Sequence, residues 1–324
     1  MSEKAIMKLK FWGVRGSHPV SGDRVTRYGG NTPCVEILVE GYPLIFDAGT
    51  GIIKLGQEIA QSSKDDSSFR AAIFFSHLHH DHTQGLPFFS PIFDPNFMLN
   101  IFLPNLSSQS PEEIISNIMT PPVFPVAFQQ TLSTKALHCI DGTQIVIIDP
   151  VNGHAETSSP FRENSFQDKI VVRTLRSFAH PQGVLNYRIE WSGKSIVYAT
   201  DIEGYVNGDR KLVNFARGAD ILIHDAQYTD EHYLGLREVG NTTQGYGHST
   251  VTMACQIASE AQVGQLFLFH HDPNYDDATL DQMRKLAKRQ FQNVETAREG
   301  LMLRLYNNAG THLSRRQVIQ APAV

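Results

Sequence analysis

Phe75-Ser-His-Leu-His-His-Asp-His-Thr-Gln-Gly85 follows directly on the apolar run Ala71–Phe75, and its reading decides the fold. His77, His79, His80, Asp81 and His82 fall within six positions. Where a strand runs out into a loop, residues i and i+2 share a face, so His77 and His79 project to one side. Asp81 and His82 stand where the chain must turn, placed to serve a second cation nearby. Imidazole and carboxylate are suitable ligands for zinc, manganese or iron. A polar loop that is merely histidine-rich is the bland alternative. The position after a buried strand argues against it.

Outward from this segment, the chain of 324 residues carries 28 Lys+Arg against 33 Asp+Glu, a net charge of −5. With 41% hydrophobic and 19% charged residues it is a folding chain, which excludes a largely disordered one. The mild acidity argues against a protein built to coat nucleic acid or an anionic membrane. Its 14 histidines are twice its seven methionines. Cys34, Cys139 and Cys255 are far apart, as suits a reducing compartment and no disulfide framework. Met1–Lys10 lacks the apolar stretch of a signal peptide, and no run approaches the ~18–20 apolar residues of a membrane helix. The expectation is a soluble, cytoplasmic protein.

Runs rich in Val, Ile, Phe and Tyr predict strands at 9–12, 34–39, 44–46, 71–75, 99–103, 144–148, 170–175, 185–191, 195–198, 221–223, 266–269 and 301–305. Helical periodicity predicts helices at 52–60, 111–119, 249–261 and 277–290. Pro111 suits a first helical turn, and Ser249 or Thr250 can cap the third helix. Residues 152–168 read as a surface loop, and Pro121–Pro125 as extended. Strands dominate the first half and alternate with helices in the second, which suggests an α/β protein of two sheets with helices outside. Nothing marks an interdomain linker, so one domain over 1–324 is expected.

H-x-H-x-D-H after a buried strand resembles the signature of the metallo-β-lactamase superfamily, and further motifs match its dinuclear hydrolase branch in order. Asp47-Ala-Gly-Thr-Gly resembles the earlier turn that buttresses the site. His180 in Ala-His-Pro-Gln-Gly, Asp201 in Tyr-Ala-Thr-Asp and His270 in Leu-Phe-Leu-Phe-His-His-Asp-Pro resemble the later ligand motifs. The likeness runs from Trp12-Gly-Val-Arg-Gly-Ser to Leu305. It implies a four-layer αββα sandwich with two divalent metal ions at the sheet edge, zinc first, manganese or iron as alternatives. One ion would take His77, His79 and His180, the other Asp81, His82 and His270, with Asp201 bridging. Neighbours on a strand point to opposite faces, so one of His270 and His271 ligates, and the motif favours His270. His80 reads as a rim residue and His224 as a packed core histidine. Two ions sharing a carboxylate activate water at neutral pH and polarise phosphoryl or carbonyl oxygens, so hydrolysis is the expected reaction.

Gly247-His-Ser-Thr before the third long helix places His248 near a helix N-terminus, where an anion is favoured. In ribonuclease Z-like phosphodiesterases a matching histidine pairs with an acidic residue, usually glutamate; Asp225 stands here instead. The resemblance therefore implies catalytic roles for Asp81, His248 and Asp225, with His248 as proton donor or phosphate partner. A cap and a strand-end carboxylate are the plainer reading of that pair. Many tRNA processors carry a long basic arm between the third and fourth metal motifs. Here His180 and Asp201 are 21 positions apart and enclose one hairpin. The negative net charge gives no polyanion grip either. Phe124 and Phe128 are expected to wall a small pocket. A small or cyclic phosphodiester, cyclic-nucleotide-like, is the preferred substrate, although class II cyclic-nucleotide phosphodiesterases carry Leu where this chain has His80. An RNA endonuclease acting on nucleic acid, gripping it through a homodimer partner, and a lactone or thioester hydrolase are the alternatives. No membrane partner is expected.

Overall fold

Short apolar strands, several of them buried on both faces, sort the chain into two mixed sheets. The structure is a computed structural model that describes residues 5–62, 69–105, 109–161, 166–204, 208–236, 241–306 and 317–319. The first sheet contains β1 (Ala5–Gly13), β2 (Cys34–Val39), β3 (Tyr42–Phe46), β4 (Phe69–Phe74), β5 (Phe97–Pro104) and β6 (Thr134–Ile140). The second contains β7 (Ile145–Ile148), β8 (Ala155–Ser158), β9 (Ile170–Ser177), β10 (Val184–Trp191), β11 (Lys194–Ala199), β12 (Ile221–Asp225), β13 (Leu266–Phe269) and β14 (Val294–Thr296). The chain then returns to the first sheet as β15 (Met302–Tyr306) and β16 (Gln317–Ile319). Each sheet has eight strands, in the orders β16-β15-β1-β2-β3-β4-β5-β6 and β14-β13-β12-β11-β10-β9-β7-β8. Two parallel blocks matter for function: β3 to β6, and β11 to β14.

The inner faces share one core, in which Phe46, Phe74, Tyr187, Tyr198, Phe267 and Phe269 meet. Phe46, Phe74 and Phe102 form a stacked ladder at 5.2 and 4.4 Å between centroids. Burial of each such ring contributes about 1.5–3 kcal/mol. The outer face of the first sheet packs on α1 (Gly51–Ser62) and α3 (Pro111–Ile118). That of the second packs on α4 (Arg210–Ala216), α6 (Val251–Glu260) and α7 (Asp277–Gln290). The short helices are α2 (His80–Thr83) and α5 (Asp230–Tyr233). The layering is α, β, β, α. Thr250, not Ser249, caps α6, accepting from the Met253 amide.

The sequence-based strands are all present, and the differences have local causes. β6, β8, β14 and β16 were not anticipated, because β6 and β8 mix polar with apolar residues and β14 and β16 have three residues each. Residues 155–158 of the expected loop instead pair with β7 at the sheet edge; 162–165 of it lie outside the described residues. Phe128 walls no pocket: it is buried against α3 in the outer core, while Phe124 packs edge-on to Phe88. No helix among the described residues is long and apolar enough to cross a membrane.

Candidate metal centre

Open sheets present polar groups beyond the carboxyl ends of parallel strands, and here both parallel blocks end at one rim. Asp47 follows β3, His77 to His82 follow β4, Asp201 follows β11, Asp225 ends β12 and His270 follows β13. His180 lies in the turn from β9 to β10. Asp47, Asp201 and His270 adopt left-handed backbone, with φ of 61, 52 and 62°, an uncommon conformation outside glycine that clusters at functional sites. At His270 it has a direct effect. Phe267 and Phe269 face the shared core and Leu266 and Leu268 the helices, so continued extension would send His270 to the helix side. The left-handed turn returns its ring to the rim. His271 is buried elsewhere, its Nε2 donating to the Ala297 carbonyl at 2.9 Å.

Two donor sets result, each within 4.8 Å: His77, His79 and His180, and Asp81, His82 and His270. Asp201 lies between them. Its oxygens are 3.8 Å from His77 Nε2 and His180 Nε2, 3.1 Å from His82 Nε2 and 3.3 Å from His270 Nε2. Each set draws side chains from both sheets. His80 is exposed on α2. His224 is buried and bonds the Asp225 carbonyl through Nδ1 at 2.7 Å.

The far nitrogens of the rings are held by the protein. His82 Nδ1 meets Asp47 Oδ2 at 2.8 Å, His270 Nδ1 meets Gln227 Oε1 at 2.9 Å, and His180 Nδ1 meets the Gly247 carbonyl at 3.0 Å. His79 Nε2 meets Gln182 Oε1 at 2.9 Å, and His77 Nδ1 meets Ser76 Oγ at 3.1 Å. These partners fix the tautomers, so lone pairs face inward. His79 Nδ1 and His180 Nε2 then stand 3.0 Å apart, and His82 Nε2 and His270 Nε2 3.3 Å apart. The buried His77 Nε2 has no hydrogen-bond partner among the described residues. Facing lone pairs and an orphaned nitrogen are what cations between them would relieve. Four buried carboxylates, Asp47, Asp81, Asp201 and Asp225, add matching negative charge.

Protonation follows the same pattern. Burial holds the His77 and His180 pKa values below the ordinary imidazole range. Burial opposes charge on His82 too, yet Asp201, Asp81 and Asp47 push its pKa well up. Despite burial, His82 and His270 hold Asp81 well below the usual carboxylate range, and the same two rings act on Asp201. The cluster attracts positive charge.

Beside it, His248 Nδ1 donates to Asp225 Oδ2 at 2.8 Å. Asp225 Oδ1 accepts from the Ser249 and Gln227 amides at 3.0 Å each. The His248 ring stacks on His270 and stands edge-on to His180, both at 5.0 Å. It thereby overlies both donor sets. Asp201, Asp225, His248 and His270 also lie within 4.8 Å of one another, but the His248–Asp225 bond already uses the facing atoms. Burial lowers the His248 pKa, and Asp225 more than restores it, so the net shift is upward.

Sequence reasoning missed the supports. Ser17 N–H donates to Asp81 Oδ2 at 2.7 Å, and Tyr198 OH to Asp47 Oδ2 at 2.7 Å. Gln227 could have been found, since it stands two positions after Asp225 and shares its face. Tyr198 could not, because a strand tyrosine reads as core.

Residues 43–271 match the family described as the beta-lactamase superfamily domain. The chain belongs to that family. It has the family's metallo-β-lactamase fold and is a metal-dependent hydrolase. Ribonuclease Z of Picrophilus torridus is 27% identical over 91% of this chain and 94% of its own length. The metallo-β-lactamase fold protein YhfI of Bacillus subtilis superposes with a TM-score of 0.62 at 20% identity, covering 91% of this chain and 98% of that one. Human tRNase Z, short form, does so with a TM-score of 0.59 at 20% identity, covering 91% and 98%.

Proposed function

We propose that this protein is a dinuclear phosphodiesterase acting on a small or cyclic phosphodiester. The observation that carries the reading is the buried His248–Asp225 pair laid across both donor sets. An ester or lactone hydrolase would have no use for it. His77, His79 and His180 would hold one divalent ion and Asp81, His82 and His270 the other, with Asp201 shared. Zinc suits the five imidazoles and two carboxylates best. Bound there, the ions supply an activated water and polarise the phosphoryl oxygen.

The chain's own residues do the rest. Asp225 accepts from His248 Nδ1 and favours the imidazolium, whose second proton sits on Nε2. Water adds to phosphorus, one phosphorus–oxygen ester bond breaks, the Nε2 proton goes to the departing oxygen, and the proton shed by the water restores His248. Asp47, Gln227, Gln182, Ser76 and the Gly247 carbonyl keep the rings oriented. Burial of the cluster keeps bulk water from competing for its hydrogen bonds. The cytoplasm is the compartment we assign, in keeping with three unpaired cysteines.

A second reading, an RNA endonuclease, is favoured by the ribonuclease Z likeness over nearly the whole chain. Against it, only the β10–β11 hairpin separates His180 from Asp201, so a homodimer partner would have to supply the grip. One panel on metal-reconstituted protein decides: cyclic nucleotides, bis(p-nitrophenyl) phosphate, a precursor tRNA and a lactone. Turnover of the small diesters is expected. Precursor tRNA cleaved alone would install the second reading, and lactone cleaved alone would refute both.

A further inference from the structure

A cavity of about 790 Å³ opens beside His180, and the hydrolytic chemistry leaves it without a role. Its size is that of a small-molecule site. The β9–β10 turn forms one wall with Phe178, Pro181 and Gln182; Glu203, Gly204 and Tyr233 contribute the other. Three details define what fits.

Phe178, two residues before His180, is 73% exposed, with the Arg176 guanidinium 4.8 Å from its ring centre. An aromatic ring so exposed beside a buried polar centre is a stacking surface without a folding role. Gln182 is held in left-handed backbone at φ 63°. Its Oε1 accepts from His79 Nε2, which leaves its amide N–H donors with no partner among the described residues. Glu203 is the one carboxylate among the described lining residues, and three donors hold it. Oε1 accepts from Tyr233 OH at 2.6 Å and the Gly245 amide at 2.8 Å, and Oε2 from the Gly247 amide at 3.0 Å. Among the described residues no Lys or Arg lines the cavity, so the described walls offer a run of phosphates no cation.

We propose that this cavity seats an uncharged, flat heterocycle bearing a carbonyl acceptor: the nucleobase of a nucleoside phosphodiester. Its ring stacks on Phe178, and a base carbonyl accepts from Gln182 Nε2. This subsite rests on the phosphodiesterase reading above.

The test compares two diesters with the same leaving group, thymidine 5′-(p-nitrophenyl phosphate) and methyl p-nitrophenyl phosphate, on metal-loaded protein. Wild type should prefer the thymidine ester in kcat/KM. In Phe178→Ala that preference should fall about tenfold, the scale of one base–aromatic stack, through KM more than kcat. Phe178→Trp should retain it. Exposure of Phe178 makes either variant safe for folding, and an unchanged metal content checks this. A preference equal in wild type and Phe178→Ala overturns the subsite while leaving the hydrolytic reading intact, as does a wild type that cleaves both esters equally well. A wild type that cleaves neither ester refutes the phosphodiesterase reading, and the subsite with it.

Discussion

Asp47 touches no substrate, yet its replacement by Asn should disable half of the centre. The carboxylate is fully buried and receives the Ser76 amide at 2.7 Å on Oδ1. On Oδ2 it receives Ser76 Oγ and His82 Nδ1 at 2.8 Å and Tyr198 OH at 2.7 Å. Asn tolerates the left-handed backbone at this position, so the loop itself is not strained. An amide, however, has one acceptor atom. If its nitrogen faces Ser76 N–H, that donor is orphaned at about 1–3 kcal/mol. If the nitrogen takes the other place, three donors meet it instead. Asp47→Asn should therefore lower unfolding free energy by about 1–3 kcal/mol. It should also weaken the ion proposed for Asp81, His82 and His270 about 10–100-fold, as loss of an orienting carboxylate does. Competition against a chromophoric chelator measures the second effect and urea denaturation the first. Tyr198→Phe, which leaves His82 its acceptor, should show far less loss of metal. Two tightly held ions in Asp47→Asn would refute the orienting role.

Further outcomes follow from the same geometry. His248→Ala should lower kcat on bis(p-nitrophenyl) phosphate about 10²–10⁴-fold with two ions still bound by elemental analysis; full turnover would remove His248 from the chemistry. Gly247→Ala should lose the ion at His180, because a Cβ there would sit 2.3 Å from His180 Nδ1 on backbone at φ 90°; isotope-edited NMR of the histidine rings reports it. Chelation should lower the thermal midpoint and addition of zinc restore it in proportion to ln[Zn], since ions bound to the folded state stabilise it by mass action. His271 is buried neutral, its pKa pushed down to about 3 by burial. Its contribution to stability is complete above the unfolded value near ~6.5 and lost as pH falls from there towards 3. In chelator, His271→Gln should flatten the denaturation slope across that window by about 1.4 kcal/mol per pH unit; an unchanged slope would mean that His271 is not the group responsible.

Much of the fold could be read in the chain because apolar runs and turn residues mark both sheets. The motifs at strand ends were equally plain: His77, His79, Asp81, His82, His180, Asp201 and His270 do converge in space. Three things were hidden. The side that His270 takes depends on one backbone torsion, which residue type does not encode. Tyr198 looks like an ordinary strand residue, and only tertiary contact reveals its partner. The cavity arises where the β9–β10 turn faces Glu203 and Tyr233, so Phe178 carries no local signal, whereas the visible Phe128 went into the core.

Among the described residues the chain passes between the two sheets twice, from β6 to β7 and from β14 to β15. Each donor set, meanwhile, takes side chains from both. A filled centre is thus a pair of rivets joining the halves at one edge, while the apolar interior glues them across the middle. Opening the covalent link at Gly142, in the β6–β7 turn, would leave two pieces whose reassembly is tuned by metal supply. On the proposed ligation, a chain starved of metal would lose its catalyst and slacken its seam together.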